Sequence, residues 1–442
     1  MGLSIMENKI TEVLNAIEQD YEQRTPNSKV AMTDAARSLA GGDTRNVLQF
    51  SPYPFVVQSA KGSALIDIDG NTYRDFINDY SAGLYGHSEP VIQQAIIEAV
   101  KQGINLGAVT RYESQLADVL VERYPALEKV RFTNSGTEAN MMAFATARVY
   151  TGREKILVMR GGYHGNAFHF SAAGDRSNAP FDFVYGTYND LQATEQAIAD
   201  CASELAAIVV EPMMGAGGCI PAEQGFLQGL RDIADHTGAV LIFDEVITSR
   251  MCSQGGQGIY GIIPDIMACG KFLGGGGSFG AFGGREQIMA LYQPTHPNAI
   301  SHGGTFNNDV ITMAAGLAGL RDVYTPEVAE HFFQKGTCFA EDLRGIAADV
   351  GVSLQITGMG TVMSFYFSQS QINAYTPPTP NQSEALAIFH MAMLERGIYL
   401  ARRGSITLSL ANTQEDIAAF KAAFSEVLSN YSDILNEVAK DH

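Results

Sequence analysis

Three short runs, "KILVM" (155–159), "AAIVVEP" (206–212) and "AVLIFDEV" (239–246), constrain this chain more than any other feature. A strand with one wet face alternates apolar and polar residues; these runs are almost continuously apolar. Each therefore reads as a strand buried on both faces, as in a parallel sheet. The segments between them have a different period. "GFLQGLRDIADHTG" places apolar residues at helical spacing and ends at Gly238, a helix stop, while "KVRFTNSGTEANMMAFATARVYTG" reads as a strand, a turn and a long helix. Strand and helix alternate in this way from about residue 88 to 325, which predicts an α/β fold with a central, mostly parallel sheet.

The flanks differ. Residues 1 to about 40 read as an amphipathic helical arm, and "SALIDIDGNTYRDFI" reads as a hairpin around Asp69-Gly70. Beyond about residue 326, helices mix with "SLQITGMGTVMSFYF" and "SITLSL", whose alternation suits antiparallel strands of a smaller α+β domain. A chain of 442 residues exceeds one small core. The expected units are an arm and hairpin over 1–75, contributing to the small domain, a large domain over 76–325 and a small domain over 326–442.

With 48 acidic against 29 basic residues and a net charge of −19, the surface repels phosphate backbones, so nucleic acid is an unsuitable partner. Any anionic substrate needs locally placed arginines. The five scattered cysteines have neither disulfide-framework nor zinc spacing, and no metal site is expected. The amino terminus lacks the uninterrupted apolar core of a signal peptide and no run reaches the length of a membrane span, so a cytoplasmic location is expected.

Ligands of open α/β sheets sit beyond the carboxyl ends of the strands. At one such end, "FTNSGTEAN" leads directly into a helix, where free amides and the Ser135 and Thr137 hydroxyls could bind phosphate; Ser135 with Glu138 also reads as a capping box. At another, Asp244 and Glu245 close an otherwise apolar strand, either to hold a protonated heterocyclic nitrogen or to cap the next element. Lys271, between the apolar "PDIMACG" and four glycines, is either a solvated loop lysine or an amine nucleophile in a pocket. In "RGGYHGNAF", Tyr163 or His164 could stack on a planar ring. Jointly, a phosphate cradle, an acid, a stacking aromatic and an amine are what pyridoxal phosphate requires.

The series "NSGTEA", "GGYHG", "VVEP", "FDEV", "GK" with trailing glycines and "GGTF" resembles class III pyridoxal-phosphate aminotransferases over roughly residues 40 to 412. The texture is similar to bacterial aminotransferases for aromatic β-amino acids and to glutamate semialdehyde aminomutases. The resemblance implies the type I fold of pyridoxal-phosphate-dependent transferases and a homodimer with shared active sites. It implies that Lys271 carries the cofactor, that Asp244 pairs with its pyridine nitrogen, and that Gly136, Thr137 and Ser135 bind its phosphate. By the same resemblance Thr305 reaches the phosphate of the neighbouring subunit's cofactor. Tyr163 and Val246 lie against the two ring faces, and Glu211 sits near the phenolic oxygen.

For the substrate, the resemblance implies that Arg45 receives the carboxylate of a β-amino acid and that Arg403, or its neighbour Arg402, serves a keto acid acceptor such as 2-oxoglutarate or pyruvate. The reaction implied is ping-pong, with an aromatic donor such as β-phenylalanine; the alternative is a glutamate-1-semialdehyde-type 2,1-aminomutase. Three departures favour the aminotransferase. The segment "NDYSAGLYGHSEP" lacks the aminomutases' serine-tryptophan pair, "MMGAGGCIPAE" replaces their asparagine-containing turns, and "GTFNNDV" stands for "GTLSGNP". Phe50, Tyr53, Phe55, Tyr80 and Tyr85 are expected to pack a core rather than line a pocket.

Overall fold

In the computed structural model, which describes residues 2–171 and 175–441, the arm is two helices, α1 (Gly2–Arg24) and α2 (Pro26–Ala35). Met1 and His442, the outer limits of the first and last expected units, lie outside the described residues. The sequence suggested one arm; Pro26 splits it, because proline cannot donate to the preceding turn and fits only at a helix start. The hairpin follows as β1 (Val57–Lys61), β2 (Ala64–Asp67) and β3 (Thr72–Asp75), with Gly70 in the left-handed region between β2 and β3.

Helices α3 (Pro90–Gln102) and α4 (Arg111–Arg123) lead to the central sheet. Its strands are β4 (Lys129–Thr133), β5 (Lys155–Met159), β6 (Asp182–Gly186) and β7 (Leu205–Val210). After a two-residue pair, β8 (Met213–Met214) and β9 (Ile220–Pro221), come β10 (Val240–Asp244), β11 (Ile266–Gly270) and β12 (Gly280–Gly284). The order is β4-β12-β11-β10-β7-β5-β6. Neighbours pair parallel except β12, which runs antiparallel to both β4 and β11. Every residue of β7, β10 and β11 is buried, as their unbroken apolar character requires.

Strand β12, "GAFGG", carries no strand signal in the sequence, and glycine weakens a strand. The packing explains it. A Cβ on Gly280 would lie 2.1 Å from the Ser135 carbonyl oxygen, and one on Gly283 2.2 Å from that of Lys129. Only bare backbone fits between β4 and β11.

Beyond the sheet, β13 (Leu354–Met359) and β14 (Val362–Phe367) pair antiparallel, β16 (Ser405–Thr407) joins β14, and β15 (Ile398–Tyr399) pairs parallel with β3. The amino-terminal hairpin and the carboxy-terminal segment thus share a sheet. Phe50, Tyr53, Phe55 and Tyr85 are buried as expected, whereas Tyr80 is only partly buried and lies beside Lys271. No helix among the described residues is long and apolar enough to cross a membrane.

Candidate active site

Strands β4, β5, β7, β10 and β11 end at the same edge of the sheet, and their ends carry the residues singled out by sequence. After β4, Ser135 caps α5 (Gly136–Thr151): its Oγ accepts the Glu138 amide at 3.2 Å, so the capping reading holds. The Gly136 and Thr137 amides stand in the first turn, where no carbonyl four residues back can receive them, and the helix dipole favours an anion there. The turn is closely enclosed. A Cβ on Gly165 would lie 2.1 Å from Thr137 Oγ1, and one on Gly136 2.8 Å from Val246 Cγ2.

At the end of β10, Asp244 is buried and fully engaged. Its Oδ2 meets His164 Nδ1 at 2.8 Å and accepts from Asn140 Nδ2 at 2.8 Å, and its Oδ1 accepts the Val246 amide at 2.9 Å. Burial alone would lower the His164 pKa, but the Asp244 hydrogen bond and charge outweigh it, so the imidazole is raised above its ordinary range. His164 is therefore no stacking residue; it is an ion-pair partner of Asp244, and its Nε2 has no partner. Asn140 was not legible as a partner, although it lies one helical turn beyond Gly136 on the same side of α5. Glu245 points elsewhere. It accepts the Gly256 and Gln257 amides at 2.6 and 3.0 Å and so anchors the helix Gly255–Tyr260.

Tyr163 lies on the loop after β5, with its ring partly exposed at 38%. Its amide donates to Glu211 Oε1 at 3.1 Å, and the Gly215 amide to Glu211 Oε2 at 2.9 Å. Glu211 thus ties two loops together at the end of β7, and burial pushes its carboxyl up toward the neutral form.

Lys271 follows β11 with φ +56°, a left-handed conformation that a lysine adopts at a cost of about 1–2 kcal/mol. The partly buried side chain donates from Nζ to the Tyr80 carbonyl and, at 3.0 Å, to Ser81 Oγ. Burial and then the Arg403 charge lower its pKa to about 8, while Asp79 and Asp244 act in the opposite sense. The alternative of a solvated loop lysine does not hold.

The Lys271 acceptors belong to an unusual segment. Asn78, Asp79, Tyr80 and Ser81 are all left-handed, with φ of 45°, 49°, 52° and 79°. Such a run persists only if its surroundings hold it. Fully buried Arg250 donates from Nη1 to the Ser81 carbonyl at 3.0 Å, and Asn78 Nδ2 donates to the Thr407 carbonyl at 2.6 Å. Asp75 Oδ1 receives the Ile77 and Asn78 amides at 2.7 and 2.9 Å.

The arginines separate. Arg45 Nη1 pairs with the Asp79 carboxylate. The Arg403 guanidinium lies 5.2 Å over the Tyr80 ring and donates from Nη1 to the Ala216 carbonyl at 3.4 Å. Both charges act on the Tyr163 and Tyr80 hydroxyls, lowering their pKa against the larger effect of burial. Arg402 instead acts on His390, within the core, so the structure brings Arg403 to the site and leaves Arg402 outside it. A cavity of about 250 Å³ adjoins Arg403, lined by Gly217, Gly218, Tyr366, Tyr375 and Leu386 among others. Thr305 is exposed in the turn before the helix Val310–Ala318, reached from the site only through Asn307 Oδ1, which accepts from Asn134 Nδ2 at 2.9 Å. Within one chain it is not brought to Lys271.

The donor set suits one cofactor chemically. The first-turn amides of α5 fit a phosphate dianion, a carboxylate held charged by an imidazolium and an amide fits a protonated ring nitrogen, and an amine of lowered pKa fits an aldehyde. Together with the sheet, that set defines a pyridoxal-phosphate-dependent transferase of the type I fold. The family model described as aminotransferase class-III matches residues 48–428, and the chain belongs to the class III aminotransferases. It is 42% identical to a β-phenylalanine transaminase of Variovorax paradoxus, over 94% of this chain and 95% of that one. It is 35% identical to a glutamate-1-semialdehyde 2,1-aminomutase of Desulforamulus reducens, over 90% and 98%. Among solved structures, a β-phenylalanine aminotransferase from Variovorax paradoxus superimposes with a TM-score of 0.94 at 41% identity, covering 96% of this chain and 98% of that one. The enzyme is a pyridoxal-phosphate-dependent aminotransferase that takes an amino donor and a keto acid.

Proposed function

We propose that this aminotransferase moves the amino group of a β-amino acid, aromatic in kind such as β-phenylalanine, to 2-oxoglutarate or pyruvate by a ping-pong mechanism. The observation that carries the reading is the convergence of two guanidinium groups, Arg45 and Arg403, on Tyr80 and Tyr163 beside Lys271. Arginine is the best planar ligand for a carboxylate, and an enzyme that handles two carboxylates in turn has use for two. The relatives whose printed names include β-phenylalanine support the donor class.

When bound, pyridoxal phosphate supplies an electron sink for the carbanion formed at the donor carbon. The chain's residues have the following roles in this reading. Lys271 tethers the cofactor and, once freed, takes a proton from the donor carbon and returns it elsewhere; a lysine of pKa about 8 does this near neutrality. Asp244, backed by His164 and Asn140, keeps the ring nitrogen protonated. Ser135, Gly136 and Thr137 hold the phosphate, and Thr305 reaches the partner subunit's phosphate in a homodimer. Tyr163 and Val246 flank the ring, and Glu211 stands by the phenolic oxygen. Arg45 takes the donor carboxylate and Arg403 the acceptor's. Residues 76–325 form the cofactor-holding domain, with 1–75 and 326–442 joined as the smaller one, and the enzyme acts in the cytoplasm.

The test is a donor and acceptor panel. With 3-amino-3-phenylpropanoate, glutamate from 2-oxoglutarate or alanine from pyruvate should accumulate in step with the keto product. Isomerisation of an amino-semialdehyde without any external acceptor, and no transfer from the β-amino acid, would make the enzyme a mutase instead.

A further inference from the structure

The left-handed turn Asn78–Ser81 touches every group on which donor recognition would depend. Its Tyr80 carbonyl and Ser81 hydroxyl receive the Lys271 amine. Its Asp79 carboxylate grips Arg45 through one nitrogen, Nη1, leaving the rest of the guanidinium fork for a ligand. The Tyr80 hydroxyl donates to the Val47 carbonyl at 2.9 Å, two residues beyond Arg45, and the Tyr80 ring lies under Arg403. The segment bearing Arg45 needs such a grip. Residues 36–45 form only turns and bends, tied internally through Asp43, whose Oδ1 accepts the Arg45 amide and whose Oδ2 accepts from Gln49 Nε2. The turn itself is held from beneath by Arg250 and Asn78.

We propose that the Asn78–Ser81 turn is a positioning and specificity element: by holding Arg45 through Asp79 and Tyr80, and the Lys271 amine through Tyr80 and Ser81, it fixes the separation between carboxylate receiver and reacting centre. This rests on the reading that Arg45 receives the donor carboxylate. A turn of four strained residues, cross-braced to β16 and to Arg250, is stiff, so that separation is constant rather than adaptable. A donor whose carboxylate is displaced by one carbon from its amine-bearing carbon then spans the two groups, and donors of other spacing do not. Asp79 and Tyr80 act through Arg45 and are positioning residues.

The test uses the cofactor-loaded enzyme with Asp79→Asn and Tyr80→Phe. Asparagine tolerates the left-handed backbone, and phenylalanine keeps the ring under Arg403, so both variants keep the turn. The ratio of KM for 3-amino-3-phenylpropanoate to KM for 1-phenylethylamine, which has no carboxylate, should rise about tenfold in Asp79→Asn and severalfold in Tyr80→Phe. Calorimetric titration with 3-phenylpropanoate, which cannot react, should show its Kd rising in parallel, and Asp79→Glu should recover part of the loss. Arg45→Ala is the reference. If Arg45→Ala fails to change the donor ratio, the reading of Arg45 falls. If Arg45→Ala changes it while Asp79→Asn and Tyr80→Phe leave both the ratio and the 3-phenylpropanoate Kd as in the parent enzyme, the positioning role of the turn is overturned.

Discussion

Lys271 is held by oxygens of the protein and depressed by its surroundings, and the two effects have different origins. The Tyr80 carbonyl and Ser81 hydroxyl aim the amine, while burial and the neighbouring Arg403 charge remove its affinity for a proton. An amine must be neutral to attack an aldehyde, so uptake of pyridoxal phosphate by cofactor-free protein should quicken as pH rises through a midpoint near 8. The sign for a variant follows. Arg403 disfavours the ammonium, so removing it restores proton affinity, and Arg403→Ala should move the midpoint to higher pH. Stopped-flow absorbance across a pH series measures this directly. A midpoint that stays put or falls in Arg403→Ala would mean that burial alone sets the amine. Residue identity was legible here because lysine, aspartate and a hydroxyl-bearing turn each follow a recognisable strand. The partners of those residues were not, since Tyr80, Asn140 and His164 lie 191, 104 and 80 positions from what they touch.

At the scale of elements, legibility followed apolar continuity. Strands β7 and β10 are apolar throughout and fully buried, and were read from the sequence. Strand β12 is equally buried yet mostly glycine, because neighbouring backbones leave no room for a Cβ; close approach is a property of the fold and has no local periodicity. The left-handed run at 78–81 was hidden for the same reason, being imposed by Arg250 and Asn78 contacts far along the chain. Gly280 gives the sharpest consequence. Its added Cβ would meet the Ser135 carbonyl oxygen at 2.1 Å and Thr133 Oγ1 at 2.4 Å, and the first of these is backbone of the turn that opens α5. Gly280→Ala should therefore destabilise the protein by about 1–3 kcal/mol in denaturant unfolding and, by displacing that turn, weaken cofactor affinity about tenfold or more in absorbance titrations. Gly225→Ala, in the helix Gln224–Thr237 with nothing within 4 Å of the new methyl, is the control and should be neutral or slightly stabilising. Equal cofactor binding in Gly280→Ala and the parent would show that β12 does not brace the phosphate turn.

For the whole molecule, the informative surface is the one that the single chain leaves apolar. Ile97 and Val100 of α3 are exposed, as are Ile104, Leu106 and Val109 just after it; Val109 reaches 86%. Val109 lines one depression with His302, Gly303 and Asn307, and Asn308 Nδ2 donates to the Ala108 carbonyl at 3.4 Å, so this strip adjoins the turn that carries Thr305 and the 58%-exposed Phe306. A contiguous apolar patch of this kind beside a polar turn is what a partner protein covers. In the homodimer proposed above, the same turn would deliver Thr305 to the other subunit's phosphate, so assembly and cofactor retention should fail together. A two-fold interface doubles the effect of one substitution, because each patch occurs twice. Replacing Val109 and Phe306 by Asp should accordingly halve the mass measured by light scattering in solution and release pyridoxal phosphate on desalting. Thr305→Ala should loosen the cofactor while leaving the mass unchanged. A double Asp variant that keeps the parent mass would place any interface on another face, and full cofactor retention in a monomer would remove Thr305 from the phosphate site.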